Sequence, residues 1–148
     1  MILILTGQPH SGKTTLAKHL KTAFGVNIPA SNVFLVDGDE MRELFKNTDF
    51  SEAGRRKNIE LAHNIAIYLH NQSAFNIVIL SLVSPFRDLR ETLKKEYGAK
   101  EFYVHTSEIR GREKFHVSNY EKPLENFIEI DTTEDDELTS LNTILNNL

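Results

Sequence analysis

The sequence predicts a three-layer α/β domain, in which a mostly parallel five-stranded sheet is covered by helices on both faces. Three observations lead there. Short aliphatic runs alternate with helical stretches along the whole chain. The stretches between runs are long enough for right-handed β-α-β crossovers, which bury a parallel sheet on both sides. No low-complexity linker or internal repeat interrupts this order, and 148 residues suit a single domain.

Residues 2–5 are continuous aliphatics and read as a first buried strand, ended by Gly7 and Pro9. Residues 14–24 read as a helix, because Leu16, Leu20 and Phe24 recur at spacing four on one face. Residues 33–36 form a second strand that runs into Asp37-Gly38-Asp39, and a short helix carries Met41, Leu44 and Phe45. Ser51 is an N-cap for a long helix to about residue 71, with Ala62, Ile65, Ala66 and Leu69 as its core stripe. Residues 77–83, the most apolar segment, form the third strand. Pro85 then opens a charged helix as its first helical residue, and Gly98 ends it after Tyr97. Residues 102–104 and 127–130 supply the fourth and fifth strands, and an acidic turn leads to a last helix at 138–145. Phe102, Tyr103 and Phe127 are expected in the core.

Composition narrows the class. Hydrophobic residues make up 40% and charged residues 26%, ordinary for a soluble globular chain. With no cysteine, disulfides, thiolate zinc sites and cysteine nucleophiles are excluded. Seventeen basic against 21 acidic residues leave a net charge of -4, which argues against a nucleic-acid coat or a polybasic membrane anchor. A small anionic substrate in a locally basic pocket remains compatible. No apolar run reaches the ~20 residues of a membrane helix, and residues 1–5 are too short for a signal-peptide core. The expected compartment is the cytoplasm.

Gly7-Gln8-Pro9-His10-Ser11-Gly12-Lys13-Thr14 fits G-x-x-x-x-G-K-[ST] without a mismatch, between the first strand and the first helix. Its glycines let successive backbone N–H groups converge on phosphate oxygens, and the helix that follows adds its positive end. Lys13 then reaches the β- and γ-phosphates as catalytic cation, and the Thr14 hydroxyl ligates magnesium. His10 contributes its backbone N–H, and Thr15 completes the nucleotide-binding set. ATP and Mg2+ are the cofactors this loop predicts. No Asn-Lys-x-Asp base-reading motif appears, which argues against a GTPase.

Asp37-Gly38-Asp39 lies at the C-terminal end of the second strand, the ligand-binding edge of a parallel sheet. Asp39 there either accepts a proton from an acceptor hydroxyl or holds a magnesium-bound water, or it caps the short helix. Arg42 follows three residues on, on the same helical face, where it can grip an anion. Arg55 and Asn58 are likewise three apart, preceded by Phe50, and Arg55-Arg56-Lys57 is a basic cluster in an acidic chain. Ser84-Pro85-Phe86-Arg87 follows the third strand at the same edge. His105 and His116 lack the partner spacing of a metal site and read as structural or surface residues.

These motifs, with Phe50-Ser51-Glu52 and Tyr120-Glu121-Lys122-Pro123, stand in the order found in adenylylsulfate kinases, a family the chain resembles from residue 1 to about 132. That resemblance implies a single P-loop kinase domain over residues 1–148. It implies transfer of the γ-phosphate of ATP to the 3′-hydroxyl of adenosine 5′-phosphosulfate (APS), forming 3′-phosphoadenylyl sulfate (PAPS) for sulfate assimilation. Asp39 would then orient or deprotonate that hydroxyl. Asp37, Arg42, Arg55 and Asn58 would hold the acceptor, Phe50 would stack on its adenine, and Ser84 and Pro85 would lie beside it. The equivalent serine has been described as a phosphoserine intermediate; in-line transfer needs no covalent enzyme, which makes Ser84 a positioning residue first. The family's basic lid is shortened here to about residues 105–119 and lacks a Gly-x-Tyr-Lys-Lys segment. By that resemblance Arg110 or Arg112 would supply the lid arginine on the nucleotide and Phe115 the second stacking wall; the alternative reading is an ordinary polar loop. Two alternatives stay open: a related kinase for another nucleotide-like or small hydroxyl acceptor, and a noncatalytic nucleotide-binding module. The family also implies a possible homodimer, with small-molecule substrates and no nucleic acid or membrane partner.

Overall fold

The computed structural model describes residues 1–108, 110–111 and 113–148. Five strands, β1 (Ile2–Thr6), β2 (Val33–Asp37), β3 (Ile77–Ser81), β4 (Lys100–His105) and β5 (Phe127–Asp131), form one sheet in the order β2-β3-β1-β4-β5. All four pairings are parallel, with Ile2 opposite Val78 and Leu5 opposite Phe102. Helices α1 (Lys13–Phe24), α2 (Gly38–Leu44), α3 (Glu52–Gln72), α4 (Arg87–Tyr97) and α5 (Glu137–Leu145) cover it. Alternation along β1 divides the core. Leu3 and Leu5 pack with Leu16 and Leu20 of α1 and Ile144 of α5, whereas Ile2 and Ile4 pack with Met41, Ala62, Ala66 and Leu93 from α2, α3 and α4.

The expected elements are present, with shifted ends. Ser51 caps α3 by accepting from Gly54 N, and Gly98 ends α4 at a left-handed φ of 63°. The third strand stops at Ser81 rather than Val83. Pro85 is not the first helical residue: α4 starts at Arg87 behind an N-cap Phe86 whose side chain accepts nothing. The cap comes instead from far along the chain, where the Glu121 carboxylate accepts the Arg87 N–H at 2.6 Å. Met41 is buried, but Leu44 and Phe45 are exposed. Phe102 and Tyr103 are buried, and the half-buried Phe127 meets Tyr103 edge-on.

Beneath the edge lies a buried ionic cluster. Arg90 and Glu101 have fully buried side chains joined at 2.6 Å, and Lys94 reaches the other Glu101 oxygen at 2.8 Å. Arg90 also donates to the carbonyls of Ser84 and Glu121. Burial first, and then the charge of Arg90, push the neighbouring His63 imidazole down to about 4. The unfolded chain therefore takes up this proton first as pH falls, so stability present above pH 6.5 should be lost towards pH 4. The loss should approach roughly 3 kcal/mol, at about 1.4 kcal/mol for each tenfold difference in proton affinity between the folded and unfolded chain. Urea unfolding of the wild type and His63→Gln across this range should give a shallower pH slope in the variant.

Candidate active site

The phosphate loop connects β1 to α1 and is shaped by contacts on both sides. At Gly7, whose φ is 150°, an added Cβ would lie 1.9 Å from the Val104 carbonyl oxygen, so no side chain fits there. Gly12 forms the N-cap of α1 in a left-handed conformation. Lys13 is buried, and its Nζ donates to Gln8 O at 2.7 Å and Ser11 Oγ at 3.3 Å. Burial pulls its pKa to about 8 against the countering charges of Asp37 and Asp39. Its direct partners are neutral oxygens, so its charge is available to an anionic ligand.

Thr14 Oγ1 donates to Asp37 Oδ2 at 3.0 Å and lies 3.3 Å from Ser81 Oγ. The other Asp37 oxygen accepts Asp39 N and caps α2. The capping role thus falls to Asp37, and the Asp39 side chain stays exposed in the cleft. Thr14, Ser81 and Asp37 form an oxygen-only donor set beside the phosphate loop, the chemistry that magnesium requires.

Phe50, which also lines this cleft, stands 62% exposed, with the Arg42 guanidinium 4.2 Å and that of Arg55 5.8 Å from its ring centroid. Arg42 is fixed by the carbonyls of Asn47 and Asp49, and Arg55 by the Phe50 carbonyl. Burial, then the charge of Arg55, lowers the Arg42 pKa, with Asp39 and Asp49 opposing. Two crowded cations with mostly neutral partners make a receptor for an anion. Asn58 donates to Gly38 O, while its Oδ1 is buried without a partner; so is Ser84 Oγ, on a residue with a left-handed φ of 42°.

One cleft of about 1010 Å3 gathers these groups, at the upper end of the ~300–1,000 Å3 usual for one ligand. Its walls include Pro9, His10, Gly12, Lys13, Thr14, Thr15, Asp37, Asp39, Arg42, Phe50, Arg55, Asn58, Ser84, Pro85, Arg110 and Phe115. Gly7, Gln8 and Ser11 belong to the phosphate loop but are not among the residues lining the cleft. Arg112 lies outside the described residues. Arg110 donates to the carbonyls of His10 at 3.1 Å and Thr132 at 2.9 Å, which sets it against the phosphate loop. His116 lines the cleft, whereas His105 stacks on Tyr103 and sits 3.0 Å from Glu129.

Sequence reasoning missed the scaffold behind the cleft. Arg90 falls on the same α4 stripe as Leu93 and Tyr97, three and seven residues on, and that core position was its one signal. Tyr120 hydrogen-bonds Thr6 Oγ1 at 2.8 Å, and Glu121 N donates to Pro85 O, so residues 120–121 lash the Ser84 loop to the end of β1.

Comparison with known proteins gives a consistent picture. The family model described as adenylylsulphate kinase matches residues 1–136. An adenylyl-sulfate kinase of Buchnera aphidicola is 35% identical over 104 residues, 69% of this chain and 48% of that protein. A probable adenylyl-sulfate kinase of Pyrococcus abyssi is 38% identical over 105 residues, 68% of this chain and 57% of that protein. The matches thus span about half the length of these curated relatives. Among solved structures, the Mycobacterium tuberculosis APS kinase in complex with AMPPNP and APS superposes with a TM-score of 0.79, covering 98% of this chain and 95% of that one. At 19% identity it speaks for the fold alone. No helix among the described residues is long and apolar enough to cross a membrane.

Proposed function

The chain belongs to the adenylylsulphate kinase family, and from that premise we propose that it transfers the γ-phosphate of ATP to the 3′-hydroxyl of APS, forming PAPS. The observation that carries this reading is that one cleft is lined by Lys13 together with Asp39, Arg42, Phe50 and Arg55.

Phosphoryl transfer asks the protein for alignment and charge rather than covalent chemistry. Lys13, held by Gln8 O, meets charge developing on the transferring group. Arg110 closes the nucleotide side. Arg42 and Arg55 bind the phosphosulfate end of the acceptor, and Phe50, backed by Arg42 on one face, offers a surface for its adenine. Asn58 Oδ1 and Ser84 Oγ supply polar atoms to the ribose. Asp39, freed from capping by Asp37, takes the proton of the attacking hydroxyl. Thr14, Asp37 and Ser81 would hold Mg2+ together with phosphate oxygens, and the ion would neutralise charge on the β- and γ-phosphates.

A coupled assay of ADP release with APS, beside a panel of nucleotide and sugar acceptors, tests the reading. APS should give the highest kcat/KM, with a 3′-phosphorylated product. A higher value for another acceptor, or tight ATP binding with no turnover, would overturn it. Within the acceptor site, Arg55→Ala should raise the APS KM about tenfold or more, since charge-assisted hydrogen bonds contribute roughly 1.5–3 kcal/mol. ATP KM should change little. Were ATP binding to suffer instead, Arg55 would belong to the nucleotide side.

A further inference from the structure

Among the described residues between β4 and β5, Glu113–Phe115 form a short 3-10 turn, and Lys114, Phe115 and His116 line the cleft. Phe115 is 54% exposed, so packing does not fix it. Hydrogen bonds do, at both ends. Upstream, Arg110 holds the carbonyl of His10. Downstream, the Gln8 carboxamide pairs with both backbone groups of Val117: its Nε2 donates to Val117 O at 2.9 Å, and its Oε1 accepts Val117 N at 2.8 Å. Both anchors are residues of the phosphate loop, and Val117 is buried beneath the wall they suspend.

Gln8 is not among the residues that line the cleft. The phosphate-loop pattern leaves its position unrestricted, so phosphate chemistry does not demand glutamine there. A carboxamide, however, presents a donor and an acceptor side by side, which matches the N–H and C=O of one residue. The Gln8 backbone carbonyl meanwhile holds Lys13 Nζ. One residue therefore serves the donor loop through its main chain and the facing wall through its side chain.

We infer that Gln8 is a positioning residue for the acceptor: its amide latch on Val117 sets Phe115, and so ties acceptor affinity to the phosphate loop. This rests on the reading of Phe115 as an acceptor wall. The test uses the full chain, with Gln8→Leu, which loses both bonds at similar size, Gln8→Glu, which keeps only acceptance from Val117 N, and Phe115→Ala. Amide exchange at Val117 and the KM values for APS and ATP are measured.

Gln8→Leu should speed Val117 exchange and raise the APS KM, each about tenfold, with a much smaller rise for ATP. Gln8→Glu should fall between wild type and Gln8→Leu, and it carries the test if the leucine variant folds poorly. Unchanged Val117 exchange in the Gln8 variants overturns the latch. So does a normal APS KM in them while Phe115→Ala raises it. Equal rises for ATP and APS also overturn it, since they report damage to the phosphate loop. If Phe115→Ala leaves the APS KM unchanged, the acceptor-wall reading falls and takes the kinetic role of Gln8 with it, whatever the exchange data give.

Discussion

Lys13→Ala should lower turnover at least ~100-fold, a barrier increase of about 3 kcal/mol, while leaving the fold intact. The side chain donates to the neutral Gln8 O and Ser11 Oγ, and Asp37 and Asp39 are its nearby countercharges. What disappears is the cation facing the transferring group. The same lysine should impose a pH limit. Its pKa near 8 in the free protein means the ammonium is lost as pH rises through that value. Wild-type kcat/KM for ATP should therefore fall above about pH 8, and the residual activity of Lys13→Ala should not follow that fall. Steady-state kinetics from mildly acidic to strongly alkaline pH check both, and normal turnover in the variant would remove Lys13 from the mechanism.

Glu101→Gln should destabilise the fold by about 3–5 kcal/mol, the usual cost of breaking a buried ion pair from one side. Glu101 is the shared anion of Arg90 and Lys94, and the Arg90 and Glu101 side chains are fully buried. Glutamine keeps the volume but leaves two cations facing an amide. Since domains have only ~5–15 kcal/mol to lose, the urea midpoint should drop sharply. Because Arg90 also grips the carbonyls of Ser84 and Glu121, the folded remainder should show a raised APS KM. A loss under ~1 kcal/mol would mean that water reaches the pair.

What sequence could reveal here divides along chain distance. The phosphate loop, the Ser51 cap and the Gly98 terminator are read within a few residues, because backbone geometry at each is set by its own neighbours. Pattern reasoning left Asp39 between catalysis and capping α2. Geometry assigns the cap to Asp37, whose other oxygen meets Thr14. The start of α4 was misplaced because its cap, Glu121, is supplied by a distant turn, and no local signal points to it. Arg90 and Glu101 escaped notice for the same reason: pairing decides their burial, and pairing is tertiary. Gln8 occupies a position the motif leaves free, so its partner Val117 could be found only in three dimensions.

The position of β1 in the sheet has a consequence for biosynthesis. It lies at the centre, yet its two neighbours are β3 and β4, which pair Ile2 with Val78 and Leu5 with Phe102. At a synthesis rate of ~5–20 residues per second, the central strand waits roughly 4–15 s for its first neighbour and longer for its second. During that interval an aliphatic ribbon with two open edges has α1 as its nearby cover, through Leu16 and Leu20. Closure of such long loops is slow, and unpaired strand edges recruit other chains. The nascent protein is thus most exposed to aggregation before β3 emerges, and holdase chaperones should act on it in that window.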